Sequence, residues 1–216
     1  MRMIPTALFI ATALALGACK REAPATDSSA ETPADHAADQ AAPPAPTAPT
    51  APEAPSAPVA TASAEIKPTQ GNEVKGNVTF KVVDGALRVS GQLSGLKPNT
   101  EHGFHIHEKG DCSAPDGSSA GGHFNPTQSQ HGNVSADPHH GGDMPNLKSD
   151  AQGNATVDGP VSNNVNIGKG DAFDISGHAV IVHADPDDYK TQPTGNAGGR
   201  LACGVITTDA APAATN

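Results

Sequence analysis

The sequence predicts an all-β fold, a Greek-key barrel or sandwich of about eight antiparallel strands, on three observations: short alternating runs, turn residues between them, and almost no helical periodicity. The runs begin after Lys67. Val78-Thr79-Phe80-Lys81-Val82 alternates apolar and polar side chains, Asp84-Gly85 supplies a two-residue turn, and Leu87 to Leu93 alternates again, so the pair forms a hairpin. His102 to His107, Gly177 to His183 and Leu201 to Thr207 follow, each apolar and β-branched enough for a strand. Two long polar stretches separate them, Glu108 to Pro145 and Ala184 to Gly199. Connections of that length inside a compact domain are either functional or disordered. The first is dense in His, Asp and Gly, which marks it as a loop organised by metal. With one Tyr, five Phe and no Trp the core is modest, so a covalent bridge and bound ions are expected to carry part of the stability.

The 216 residues are unevenly composed. Residues 1–18 hold Arg2, an apolar run from Ala7 to Leu16 and the small residues Gly17 and Ala18, which is the anatomy of a signal peptide too short to span a bilayer comfortably. The run ends in Leu16-Gly17-Ala18-Cys19, which resembles the bacterial lipobox, where the cysteine is lipidated and becomes the mature N-terminus. Ordinary cleavage after Ala15 or Ala18 is the alternative. Residues 19–66 then form a tether of Ala, Pro, Thr, Ser and acidic side chains, with prolines recurring from Pro43 to Pro58 and little to bury. The folded domain is placed at residues 67–208, with a flexible tail at 209–216.

Three cysteines leave one over after a single bridge, and acylation would consume Cys19. Cys112 and Cys203 remain as a pair, and export favours a disulfide over two free buried thiols. Closing a loop of about 90 residues stabilises by roughly 4 to 5 kcal/mol on the chain-entropy account. Charge argues against nucleic acid as a partner: residues 20–66 hold two basic and seven acidic side chains, net −5, and residues 67–216 hold ten and sixteen, net −6, with no basic patch.

Nine of the ten histidines lie from His102 to His183, and His36 is in the tether. Strand alternation in Gly103-Phe104-His105-Ile106-His107 puts His105 and His107 on one face, where two imidazoles can chelate one ion; solvent-facing histidines share the same pattern. Next come His123, His131, His140 and Asp143, three imidazoles and a carboxylate that make a closed tetrahedral set suited to structural zinc, or else a histidine-rich surface loop that scavenges metal. His183 ends a strand that faces the second polar stretch.

Together these elements resemble the copper-zinc superoxide dismutase family over about Gly71 to Thr207. The motifs stand in the family's order: Gly103-Phe104-His105-Ile106-His107, Gly121-Gly122-His123-Phe124-Asn125-Pro126, His140-Gly141-Gly142-Asp143, Val180-Ile181-Val182-His183, and the run from Gly195 to Ile206 that contains Arg200 and Cys203. The resemblance implies an enzyme that dismutes superoxide, with copper on His105, His107, His123 and His183 and zinc on His123, His131, His140 and Asp143. His123 would bridge the two ions and carry a proton. The family's His-x-x-Asp spacing selects His140 over His139, and Asp187, with Asp185 and Asp188 as nearby substitutes, matches the carboxylate that hydrogen-bonds one ligand of each metal. His102 corresponds to a structural histidine, His178 is expected to be exposed, and Arg200 to be the cation that draws a small anion to copper, with Lys109 and Lys169 as further contributors.

An exported lipoprotein of the family would sit in the bacterial periplasm, and Lys20 after the lipidated cysteine fits outer-membrane sorting. Monomer and homodimer both stay open. The rival is a periplasmic copper or zinc buffer without turnover, which would keep the ligands but has no use for Arg200 beside an open copper position. A zinc hydrolase is disfavoured, since a helix-borne His-Glu-x-x-His is absent and the four-ligand zinc set leaves no open position.

Overall fold

The structure, a computed structural model, describes residues 60–209. Residues 1–18, Cys19, the tether as far as residue 59 and the tail from residue 210 lie outside the described residues. Ten strands and one 3-10 turn, with no α-helix among the described residues, make up the all-β fold that the sequence predicts. The strands are β1 (Thr61–Pro68), β2 (Lys75–Val83), β3 (Ala86–Ser94), β4 (Glu101–His102), β5 (Phe104–His107), β6 (Leu147–Lys148), β7 (Ala155–Pro160), β8 (Ala179–His183), β9 (Arg200–Val205) and β10 (Thr207–Thr208). One antiparallel sheet runs β5-β8-β9-β1-β2-β3-β7, with β10 also on β1, while β4 and β6 pair separately.

The predicted hairpin is present: β2 and β3 pair from Lys75↔Ser94 to Val83↔Ala86. Asp84 and Gly85 close it with φ of 51° and 80°, the doubly left-handed turn whose twist matches that of the flanking strands. Inward-facing Ile66, Phe80, Val89, Ile106, Val180 and Val182 meet in one core cluster, each contributing about 1.5–3 kcal/mol by burial. On the opposite face of β8 and β9, Ala179, Ile181 and Cys203 form a smaller cluster, covered by Ala120 and Cys112 from the long loop. β8 is thus buried on both faces, and this explains its unbroken apolar run. Register sets His105 opposite Ile181 and His107 opposite Ala179, so both histidines stand on this second face, outside the main core.

The sequence boundaries need correction in three places. Thr61 to Ile66, assigned to the tether, are the first residues of β1, and Ala62 and Ile66 are buried at 0% and 1% exposure against β2. Thr61, Ala62, Ser63 and Ala64 are small and leave no hydrophobic signature; the strand is defined by its ladder to β2, not by propensity. The single run expected at His102 to His107 is split into β4 and β5, because the Gly103 amide leaves the ladder and donates to the Asp185 carbonyl at 2.8 Å. Strand β7, in which Ala155, Val157 and Gly159 are buried and their neighbours exposed, was hidden by its Gly and Pro.

Candidate metal centre

The stretch from Glu108 to Pro145 is stitched to β5. Phe124 N donates to Ile106 O at 2.8 Å, Ile106 N to Gly142 O at 2.9 Å and Gly142 N to Phe124 O at 2.8 Å. These bonds bring His123 opposite His107 and Asp143 opposite His105. Glycine is needed at 142, since a Cβ there would run into the Ile106 carbonyl.

Two donor groups share His123: His105, His107, His123 and His183, and His123, His131, His140 and Asp143, with the ligand atoms of each group within 4.8 Å of one another. All are buried. In the first group, hydrogen bonds on the outer nitrogens decide which nitrogen points inward. His105 Nε2 donates to Asp187 Oδ2 at 2.8 Å, His107 Nδ1 to Gly121 O at 2.9 Å and His183 Nδ1 to Gly198 O at 3.4 Å. The opposite nitrogens then present lone pairs to a common centre, and His107 Nε2 and His183 Nε2 stand 3.3 Å apart. His105 Nδ1 and His123 Nε2 are buried without any hydrogen-bond partner. Converging bare lone pairs cut off from water are satisfied by a cation, so the donor set fits a bound metal ion. Burial, followed by the neighbouring imidazoles, holds His107 and His183 well below the usual histidine value. Burial also lowers His123 to about 4, despite the opposing hydrogen bond to Asp143.

The second group is built around one oxygen. His123 Nδ1, His131 Nδ1 and His140 Nδ1 lie 2.9, 2.9 and 3.4 Å from Asp143 Oδ1. Asp143 Oδ2 accepts the amides of His140 at 2.8 Å and Gly132 at 3.1 Å, which aims Oδ1 at the imidazoles. Burial pushes the Asp143 carboxyl up, but the hydrogen bonds from His123, His131 and His140 outweigh it and hold the group well below the usual carboxylate range. His131 is lowered by burial and raised more strongly by Asp143 and Asp187, to about 9. Three nitrogens and one oxygen suit tetrahedral zinc, whereas the four-nitrogen set suits copper in either oxidation state.

Asp187 joins the two groups, accepting from His105 Nε2 with one oxygen and from His131 Nε2, at 2.9 Å, with the other. Burial raises its carboxyl, and those two hydrogen bonds bring it well below the usual range. Asp188 instead caps the amides of Lys190 and Thr191. Sequence reasoning missed two amide side chains that hold this arrangement. Asn146 accepts the Asp187 amide and donates to the Asp187 carbonyl, both at 2.9 Å. Gln192 does the same for His131, at 2.8 and 2.9 Å. Clasps of side-chain amide on distant backbone leave no local sequence signal.

The other histidines are structural. His102 bonds the His183 carbonyl and the Thr100 hydroxyl, both at 2.9 Å. His139 turns away to Ser162. His178, expected to be exposed, is half-buried: its ring lies 4.1 Å from that of Phe124 and its Nδ1 donates to the His107 carbonyl.

Arg200 begins β9 and faces His183 across the ladder, at the irregularity between Val182 and His183. Its guanidinium donates to Gly117 O at 2.7 Å and to Gly121 O at 2.6 Å, and the second carbonyl is the one that accepts from His107. A single carbonyl therefore separates the fixed cation from a histidine of the four-nitrogen set. Cys112 and Cys203 form a disulfide with Cα atoms 5.8 Å apart, which ties the loop to β9 three residues beyond Arg200.

The sequence profile described as copper/zinc superoxide dismutase matches residues 74–206. The chain belongs to that family. It is 43% identical over 148 residues to a copper-zinc superoxide dismutase of Aquifex aeolicus, covering 67% of this chain and 85% of that protein. The corresponding protein of Caulobacter vibrioides is 40% identical over 150 residues, covering 68% and 85%. Among solved structures, a superoxide dismutase-like protein from Bacillus subtilis superposes with a TM-score of 0.59 at 37% identity, covering 66% of this chain and 96% of that one. The clock protein EA4 superposes at 0.61 with 37% identity, covering 72% and 98%. As a copper/zinc superoxide dismutase the chain is an oxidoreductase that dismutes superoxide to dioxygen and hydrogen peroxide, with copper and zinc as cofactors.

Proposed function

We propose that His105, His107, His123 and His183 hold copper, that His123, His131, His140 and Asp143 hold zinc, and that His123 joins the two ions. The observation that carries this assignment is the pair of buried, partnerless nitrogens, His105 Nδ1 and His123 Nε2, facing the same centre as His107 and His183. Bound copper supplies a one-electron couple that accepts an electron from one superoxide and returns it to a second. Arg200 binds and orients the incoming anion, against the net −6 of residues 67–216. While its Nε2 is free of copper, His123 would hold a proton there and deliver it to the reduced oxygen species, and water would provide the second proton that hydrogen peroxide requires. Asp187 fixes the rings of His105 and His131, and Gly121 O fixes that of His107.

We further propose that the chain is exported and held at a bacterial membrane, the outer one in view of Lys20, through lipidated Cys19, with residues 20–59 spacing the domain from the surface. Anchoring is tested by lipid labelling of wild type and Cys19→Ser, which should release the protein to the soluble fraction. For the metal assignment, protein stripped by chelator and reloaded should take up one copper and one zinc per chain and consume superoxide. A protein that binds both ions and leaves superoxide unconsumed would be a metal buffer, and the catalytic assignment would fall.

A further inference from the structure

His140 differs from the other two histidines of the proposed zinc set in how its ring is held. His131 is fixed from behind by Asp187 and His123 is shared between the two sets. Among the described residues, no hydrogen bond reaches the outer nitrogen of His140, so its direction depends on the backbone that carries it. That backbone is anchored next door. His139 is buried at 4% exposure, its Nδ1 donates to the Ala136 carbonyl at 3.0 Å, and its Nε2 lies 3.0 Å from the hydroxyl of Ser162, which is fully buried. His139 Nε2 and the Ser162 hydroxyl share a hydrogen bond, and Ser162 Oγ in turn accepts the Asn164 amide at 3.0 Å. The segment that bears Ser162 is tied to the barrel wall, since the Val161 amide donates to the Leu87 carbonyl of β3 at 3.0 Å. Val165 closes the other side, its side chain pressed so near Gly141 that a Cβ there would come within 2.7 Å.

We propose that the His139–Ser162 pair is a positioning latch for zinc: it fastens the backbone beside His140 to the barrel wall and so sets how long zinc stays bound, without touching either ion. The proposal rests on the zinc assignment above. The latch acts chiefly on zinc, because three of the four nitrogens proposed for copper, those of His105, His107 and His183, belong to β5 and β8 and make no hydrogen bond to Ser162 or His139.

The test uses the copper- and zinc-loaded enzyme and follows release of each ion to a competing chelator, together with the visible spectrum after cobalt(II) replaces zinc. Ser162→Ala should release zinc about tenfold faster, the low end of what loss of an outer partner costs a metal site, shift the cobalt bands, and leave copper release as in wild type. His139→Gln, which removes the ring at the other end, should act in the same direction and serves if Ser162→Ala folds poorly. Wild-type zinc release with an unchanged cobalt spectrum in both variants overturns the latch. Copper and zinc release accelerated together would show general loosening and would also overturn it. A wild-type chain that takes up neither zinc nor cobalt refutes the zinc assignment itself, and the latch falls with it.

Discussion

The two donor sets are made from different material. Three of the four histidines proposed to hold copper, His105, His107 and His183, stand on β5 and β8, strands buried on both faces and paired in register. Three of the four residues proposed to hold zinc, His131, His140 and Asp143, come from a stretch with almost no regular structure, held by backbone bonds to β5, a disulfide, Asp187 and Gln192. A strand places ligands before any ion arrives, whereas a loop must be assembled, and the ion and the covalent bridge share that task. On the proposed assignment, the redox half of the centre is carried by the strands and the ordering half by the loop.

The strongest way to break this contrast is to cut the bridge. Cys203→Ser, or reduction of the native protein, should lower the melting temperature by roughly 10 °C or more, from the roughly 4 to 5 kcal/mol expected of so long a closed loop. Zinc retention should fall further than copper retention. Equal melting with and without reductant would show that the loop is held by other means. Asp187→Asn attacks the joint between the two sets and should weaken both ions by about 10- to 100-fold, measured by competition with a chelator; an effect on one ion alone would mean that the joint is not shared. Arg200→Ala should retain both metals and lower the second-order rate about tenfold at low ionic strength, with a flatter salt dependence and partial recovery in Arg200→Lys. Unchanged kinetics would remove the guanidinium from substrate capture.

A further prediction concerns the metal-stripped domain, whose stability should peak near pH 6.5. His123, lowered to about 4 in the fold, binds a proton more readily when unfolded, so stability is lost as pH falls from about 6.5 towards 4. His131, raised to about 9, contributes stability below about 6.5 that is lost as pH rises towards 9. Melting curves of the stripped protein across this range should show both flanks, and loading with copper and zinc should flatten them. A stripped protein equally stable from pH 4 to 9 would contradict the environments described for both rings.

The strand-borne half was the more legible of the two in sequence. Alternation alone puts His105 and His107 on one face, and Asp84-Gly85 announces its hairpin. The loop-borne candidate ligands were readable only through their spacing and the family's motif order, because no periodicity links His131 to His140. Asn146, Gln192 and Ser162 could not be read at all: each acts on a partner 23 to 61 residues away through geometry that only the folded chain creates. Strand β1 was hidden for another reason, since Thr61-Ala62-Ser63-Ala64 has the composition of the tether before it and becomes a strand only by pairing with β2.

The Gly121 carbonyl takes hydrogen bonds from both Arg200 and His107. Two donors share the electron density of one oxygen, so loss of either leaves that oxygen freer to polarise the other. A change at Arg200 is thereby felt at the His107 ring through one shared oxygen. A substitution at position 200 therefore alters the outer hydrogen bond of His107 as well as the local positive charge, and metal retention and rate are to be measured on the same sample.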